Sequence, residues 1–86
     1  MPRISSFYGI VVRMFYADHL PPHFHVSYAG HVAVLTIDTL TVVKGSLPRR
    51  QARLVRHWAT LHRGELIANW DRARGDERLA SIAPLP

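Results

Sequence analysis

The alternation of apolar and polar residues on both sides of Ala29-Gly30 constrains the fold most strongly. In residues 23–28, aromatic and aliphatic side chains alternate with histidine and serine. This pattern predicts a strand with one buried face. A two-residue turn at Ala29-Gly30 then leads into a second strand and places Phe24 opposite Leu35. The apolar positions of both strands share one face in this register, which supports a β-hairpin.

The rest of the chain predicts more strands and then helix. Short alternating runs come first, and the stretch after Pro48 carries an apolar stripe at helical spacing. The predicted elements are strands at about 8–17, 23–29, 31–38 and 40–44, helix over 47–74, and an extended tail over 75–86. We expect one α+β domain, residues 1–86, in which an antiparallel meander of three to four strands is followed by one long or broken C-terminal helix packed on one face. A break is expected at Gly64.

Composition excludes several classes of protein. The chain has 86 residues and no cysteine, which rules out a disulfide scaffold, a thiolate nucleophile and cysteine-ligated zinc. No apolar stretch approaches the length of a membrane span, and the first residues do not resemble a secretory signal. We therefore expect a cytoplasmic protein without membrane contact. A core this small would gain stability from homo-oligomerisation.

The positive charge is carried mainly by arginine. Lysine and arginine number eleven against six acidic residues, a formal net charge of +5. Guanidinium groups bind phosphate in bidentate fashion, so RNA or DNA is a candidate partner, beside an acidic protein. On a helical wheel, one face of the predicted helix is formed by Arg49, Arg53, Arg56, Arg63 and Arg74.

Three histidines and an aspartate flank two prolines in the run Asp18-His19-Leu20-Pro21-Pro22-His23-Phe24-His25. His23 and His25 are two residues apart on a strand, so both side chains leave the same face, about 6.6 Å apart at Cα. With His19 as a third ligand and Asp18 as a ligand or an orienting group, they could hold zinc or another divalent metal at a site with an open position.

The same histidines allow two other interpretations. His19, His23 and His25 could be the catalytic acid and base of a small nuclease, and Arg13 would add positive charge if its strand face coincides with theirs. Alternatively, the Pro-Pro corner is structural, with Asp18 forming a turn and His19 capping a carbonyl. The spacing alone leaves these alternatives open.

The histidine run also resembles the signature of a bacterial family, domain of unknown function 4160. The similarity extends to residues 4–10, to Gly45-Ser46-Leu47-Pro48, and to the apolar positions of the helix around Trp58 and Trp70; Gly64 departs from it. The resemblance implies a small regulatory or interaction protein of the toxin–antitoxin kind, with a small partner protein encoded nearby. It supplies no catalytic residues. We expect such a protein, with a nuclease and a divalent-metal-binding module as the alternatives.

Overall fold

A computed structural model describes residues 2–86. The sheet is antiparallel, and its five strands lie side by side in chain order. The strands are β1 (Arg3–Phe7), β2 (Ile10–Arg13), β3 (His23–Tyr28), β4 (His31–Thr36) and β5 (Val42–Gly45), and the helices are α1 (Arg49–Leu61) and α2 (Arg63–Arg74). The α+β class is therefore confirmed, with five strands rather than three to four and with two helices in place of one long or broken helix.

The strand predicted over residues 8–17 exists but is shorter, covering only Ile10–Arg13. Tyr8 and Gly9 have φ values of 50° and 79° and form a tight turn between β1 and β2. Two consecutive positive φ values characterise the two-residue turn that suits the twist of a hairpin. The strand after this turn ends at Arg13, and a loop continues to Pro22.

The β3–β4 hairpin has the predicted register. Phe24 pairs with Leu35, and His25 pairs with Val34. Ala29 and Gly30 have φ values of 45° and 85°, so this turn also requires two left-handed residues. One face of β3 is consequently apolar, and the other carries both histidines.

The helical region divides at His62 and not at Gly64. His62 has φ −120° and ψ 23°, which takes it out of the helical conformation between α1 and α2. Its backbone N–H still donates to the carbonyls of Trp58 and Ala59, at 3.1 and 3.2 Å. Gly64 lies within the first turn of α2. The interruption between the helices therefore comes from one non-helical residue and not from glycine.

The core lies between the helices and one face of the sheet, which we call the covered face. Trp58 of α1 is fully buried there, and its ring lies 5.4 Å from that of Phe7 and 6.2 Å from that of Phe24. Val55 and Leu66 are buried in the same layer. On the other face of the sheet, the open face, Val32 and Val43 are exposed, and Trp70 of α2 reaches this face at His23.

The C-terminal tail is held along the body of the domain. The buried side chain of Asn69 donates to the carbonyl of Ala80 at 2.8 Å and accepts from its N–H at 2.9 Å. The Trp58 indole donates to the carbonyl of Ala83, and Ile82 donates its N–H to the carbonyl of Ile4, both at 2.8 Å. Within residues 2–86, neither helix has the length and apolar character that a membrane span needs.

Candidate metal centre on the open face of the sheet

Strand β3 and the loop before it bring three potential ligands together on the open face. Alternation along β3 turns His23 and His25 away from the buried side chains of Phe24 and Val26. The loop between β2 and β3 folds back so that Asp18 approaches both histidines. The Ala17 N–H donates to the carbonyl of Ala73, which ties this loop to the end of α2.

The three ligand atoms lie within 4.8 Å of one another. Asp18 Oδ2 is 2.8 Å from His23 Nε2 and 3.3 Å from His25 Nε2. Both imidazoles therefore direct the same ring nitrogen at one carboxylate oxygen. Two histidines and one carboxylate form a ligand set that divalent transition metals favour.

The two ring nitrogens of His23 both face acceptors. Nδ1 lies 2.7 Å from the carbonyl oxygen of Pro21, which can only accept, so Nδ1 carries a proton and donates it. In a neutral ring, Nε2 then presents a lone pair towards Asp18 Oδ2. Two lone pairs at 2.8 Å repel each other, so the ring must be doubly protonated or both atoms must bind one cation. A donated Nδ1–H is also the arrangement that fixes a metal-binding histidine for ligation through Nε2.

Asp18 is held in its charged form. Burial alone would raise its pKa. The backbone N–H of His19 and the side chains of His25 and His23 hydrogen-bond the carboxylate, and they outweigh the burial. The pKa of Asp18 is consequently about 2 instead of 3.8. An ionised carboxylate is what a metal ligand or an ion-pair partner requires.

Aromatic packing fixes the two imidazole rings. The His25 ring lies 4.0 Å from that of Phe15, and the His23 ring lies 5.1 Å from that of Trp70, measured between centroids. His23 is almost enclosed, with 6% of its side chain exposed. Trp70 belongs to α2, so the two helices, which form the covering layer of the sheet, also position one residue of the site.

His19 is not brought into the three-atom group. Its ring is 87% exposed, and its Nδ1 lies 3.0 Å from Oδ1, the other carboxylate oxygen of Asp18. The backbone N–H of His19 donates to the same Oδ1 at 2.9 Å. His19 therefore orients Asp18, whereas Oδ2 faces His23 and His25.

A groove of about 640 Å³ runs along the open face beside these ligands. Arg13 lines it and pairs with His25 across β2 and β3, so the arginine and histidine faces do coincide. Sequence reasoning missed the contributions of Phe15 and Lys44 to the groove. A signal existed for Lys44, because the predicted strand at 40–44 would pair with β4.

The predicted arginine face lies on exposed parts of the helices. All of its members are exposed: Arg49, Arg53, Arg56, Arg63 and Arg74. Two of them also bind main-chain carbonyls, since Arg56 donates to Leu40 and Arg63 donates to Ile37, each at 3.2 Å. Across residues 2–86, every ion pair within 4.0 Å has histidine as its cation, and none involves arginine.

Fold and site define a class: a small α+β domain with a histidine–carboxylate cluster on the open face of a five-stranded meander. Residues 9–71 match the family model described as Domain of unknown function (DUF4160). Because the match covers most of the chain, the protein belongs to this family. The matched segment contains Asp18, His23 and His25, and it ends before the tail. Searches of curated proteins and of solved structures gave no significant match.

Proposed function

We propose that the protein binds one divalent transition-metal ion, with Zn²⁺ as the best-suited ion, through Asp18, His23 and His25. The observation that carries the proposal is the convergence of two Nε2 atoms on Asp18 Oδ2 while His23 Nδ1 is occupied by the Pro21 carbonyl. A cation bound by both His23 Nε2 and Asp18 Oδ2 would remove the repulsion between their facing lone pairs.

The two separations between Asp18 and the histidines suit such an ion. Zinc bonds of about 2.0–2.1 Å in a tetrahedral arrangement place neighbouring ligand atoms about 3.3 Å apart. The Asp18–His25 separation is already 3.3 Å, and the Asp18–His23 separation of 2.8 Å needs to open by only a fraction of an ångström. Three protein ligands leave a fourth position for water or for a ligand in the groove.

Exposure favours this role over a metal-free pair of catalytic histidines. A general acid or base must reach the proton that it transfers. His23 has 6% of its side chain exposed, and both of its ring nitrogens already face protein acceptors. A metal ligand needs only an Nε2 lone pair that points towards the other ligand atoms, and His23 Nε2 points at Asp18 Oδ2.

Calorimetric titration of zinc into chelator-treated protein tests the proposal. We expect one ion per chain, with affinity falling at least 100-fold in His25→Ala because a direct ligand is lost. His31→Ala is the matched control, since His31 is an exposed histidine on β4 outside the cluster. Its zinc affinity should equal that of the unchanged protein.

Two results would overturn the metal site. One is a folded protein, judged by circular dichroism, that binds neither zinc nor cobalt at neutral pH. The other is equal loss of affinity in His25→Ala and His31→Ala. In the first case, the cluster is an ion pair between Asp18 and a doubly protonated His23.

A second candidate function is the binding of nucleic acid through the arginine face, and it is favoured because no arginine of residues 2–86 forms an ion pair with a carboxylate. Helix α1 has no acidic residue in its first turn, where Arg49 and Arg50 lie, and Arg53 follows one turn later. Exposed guanidinium groups free of carboxylates attract phosphates, and each phosphate contact adds to the salt dependence of binding. A regulatory role of the kind that the family resemblance implies would act through such a surface.

Fluorescence anisotropy with labelled single-stranded RNA and duplex DNA tests this candidate. We expect binding that weakens steeply with salt, and an Arg49→Ala/Arg53→Ala double variant with a salt slope smaller by about 2. Arg78→Ala, in the exposed tail, is the control. Binding of polyglutamate but not of nucleic acid would contradict the proposal and indicate an acidic protein partner.

A further inference from the structure

The groove beside the metal ligands carries two cations. One row of cross-strand neighbours runs from Arg13 through His25 and Val34 to Lys44. At the usual strand spacing, Arg13 and Lys44 lie about 14 Å apart at Cα, with His25 next to Arg13. Arg13 Nη1 donates to Ser27 Oγ at 3.2 Å, which holds the guanidinium along the open face.

The side chains that line the groove carry more positive than negative charge. Asp18 is the only acidic residue that lines it within the described chain, and the histidines already engage both of its carboxylate oxygens. Arg13 and Lys44 have no carboxylate within 4.0 Å in residues 2–86. With a divalent ion bound at the site, the groove would present two cationic side chains and a metal against one carboxylate. A ligand that complements this field is an anion, and a doubly charged one complements it best.

The floor of the groove is apolar. Val32 and Val43 lie on neighbouring strands and are 66% and 59% exposed. Val34, between His25 and Lys44, continues this surface. Exposed aliphatic side chains grouped beside polar groups characterise a ligand-binding groove. The ligand therefore combines an anionic end with an apolar body.

We infer that the groove binds a phosphate monoester with an apolar body, an inference that rests on the proposed metal function. Its phosphate meets the metal and the Arg13 guanidinium, and its body lies on Val34 and Val32. A phosphate monoester is a dianion near neutral pH, and its oxygens match the fork of an arginine. A carboxylate offers only one negative charge and fewer oxygens to share between a metal and an arginine.

Titration of phenyl phosphate into the zinc-loaded protein, followed by calorimetry, tests the inference. We expect binding that weakens at least tenfold in Arg13→Gln, while the zinc affinity of that variant stays unchanged. Arg78→Gln is the matched control, because Arg78 is an exposed arginine of the tail that does not line the groove. Inorganic phosphate and benzoate, each lacking one half of the proposed ligand, should bind at least tenfold more weakly than phenyl phosphate.

The outcomes separate this inference from the metal proposal. Zinc binding without phenyl phosphate binding overturns the groove inference and leaves the metal site intact. Phenyl phosphate binding to a protein that rejects zinc overturns the metal site, and the anion site then rests on Arg13 alone. Benzoate binding as tightly as phenyl phosphate, or inorganic phosphate binding equally, overturns the choice of an apolar phosphate monoester.

Discussion

The two faces of β3 differ in what covers them and in what their side chains do. Phe24 and Val26 face the helices and are buried against Trp58 and its neighbours. His23 and His25 face the other way, towards the loop that carries Asp18. Burial of apolar area on one face supplies most of the stability. The other face keeps polar groups in a fixed arrangement and adds little apolar burial.

Along this single strand, the side chains that stabilise the fold therefore alternate with those that form the candidate site. A partly exposed side chain on the open face, such as that of His25, can be truncated without leaving an enclosed cavity, whereas that of Phe24, one position away, cannot. Trp70 is an exception, since it belongs to the covering layer and also contacts the ring of His23. The open face therefore depends on the covered face for its geometry, and the reverse dependence is weak.

The largest expected effect comes from neighbouring substitutions on the two faces. Phe24→Ala should lower the free energy of unfolding by about 3–5 kcal/mol, because it leaves a cavity beside Trp58. His25→Ala should lower it by only about 1 kcal/mol, the cost of one modest hydrogen bond and some aromatic contact. Urea unfolding of both variants, prepared without metal, measures the difference.

An equal decrease in the free energy of unfolding of Phe24→Ala and His25→Ala would contradict this difference between the two faces. It would mean that the open face contributes to stability as the core does, which favours a structural corner over a binding site.

A smaller effect is expected from pH. The pKa of Asp18 is about 2 in the folded protein, below its ordinary value of 3.8. The stability that the carboxylate contributes is therefore fully present above about pH 4 and is lost as the pH falls towards 2. In metal-free protein, the loss should be on the order of 1–2 kcal/mol.

Urea midpoints measured between pH 5 and pH 2 follow this loss, and Asp18→Asn should flatten the profile. Asp38→Asn is the control, because Asp38 is an exposed carboxylate between β4 and β5. A profile that is equally steep in Asp18→Asn and in the unchanged protein would contradict the assignment.

The smallest expected effect on stability comes from a substitution in the helices alone. Gly64 lies inside α2, and a Cβ added there would meet no atom within 4 Å. Gly64→Ala should therefore raise the free energy of unfolding by about 0.5–1 kcal/mol, since alanine restricts the unfolded chain and favours helix. Thermal unfolding measures the gain, and the zinc affinity should stay the same. A change in zinc affinity would show that the two faces are coupled through α2.

The β3–β4 hairpin and its register could be predicted from sequence because two signals agree. Strict alternation places Phe24 and Leu35 on one face, and the Ala29-Gly30 turn independently sets the same pairing. The first hairpin lacked that agreement. Ser5 and Ser6 interrupt the apolar pattern of β1, and Tyr8 is an unusual residue at positive φ. The glycine at position 9, between two apolar runs, was the available signal.

The candidate site was predicted in residue types but not in geometry. Alternation placed His23 and His25 on one face, as the structure has them. The path of the loop decides which atoms of Asp18 and His19 meet them, and that path depends on contacts with α2 such as Ala17 to Ala73. Periodicity carries no information on such tertiary contacts. A break in the helix was predicted at Gly64 from the glycine and the drift of the apolar stripe, and the structure places it two residues earlier, at His62.

The hydrogen bond between the tail and Ile4 has a consequence for self-association. The unpaired backbone of an outer strand is a template on which a second chain can add, and proteins block such edges to avoid aggregation. Ile82 donates to the carbonyl of Ile4 on β1, one of the two outer strands, so part of that edge is already taken. The opposite edge is β5, which is only four residues long and carries Lys44. Both outer strands are thus protected against pairing with a second chain, β1 by the hydrogen bond from the tail and β5 by its short length and the charge of Lys44.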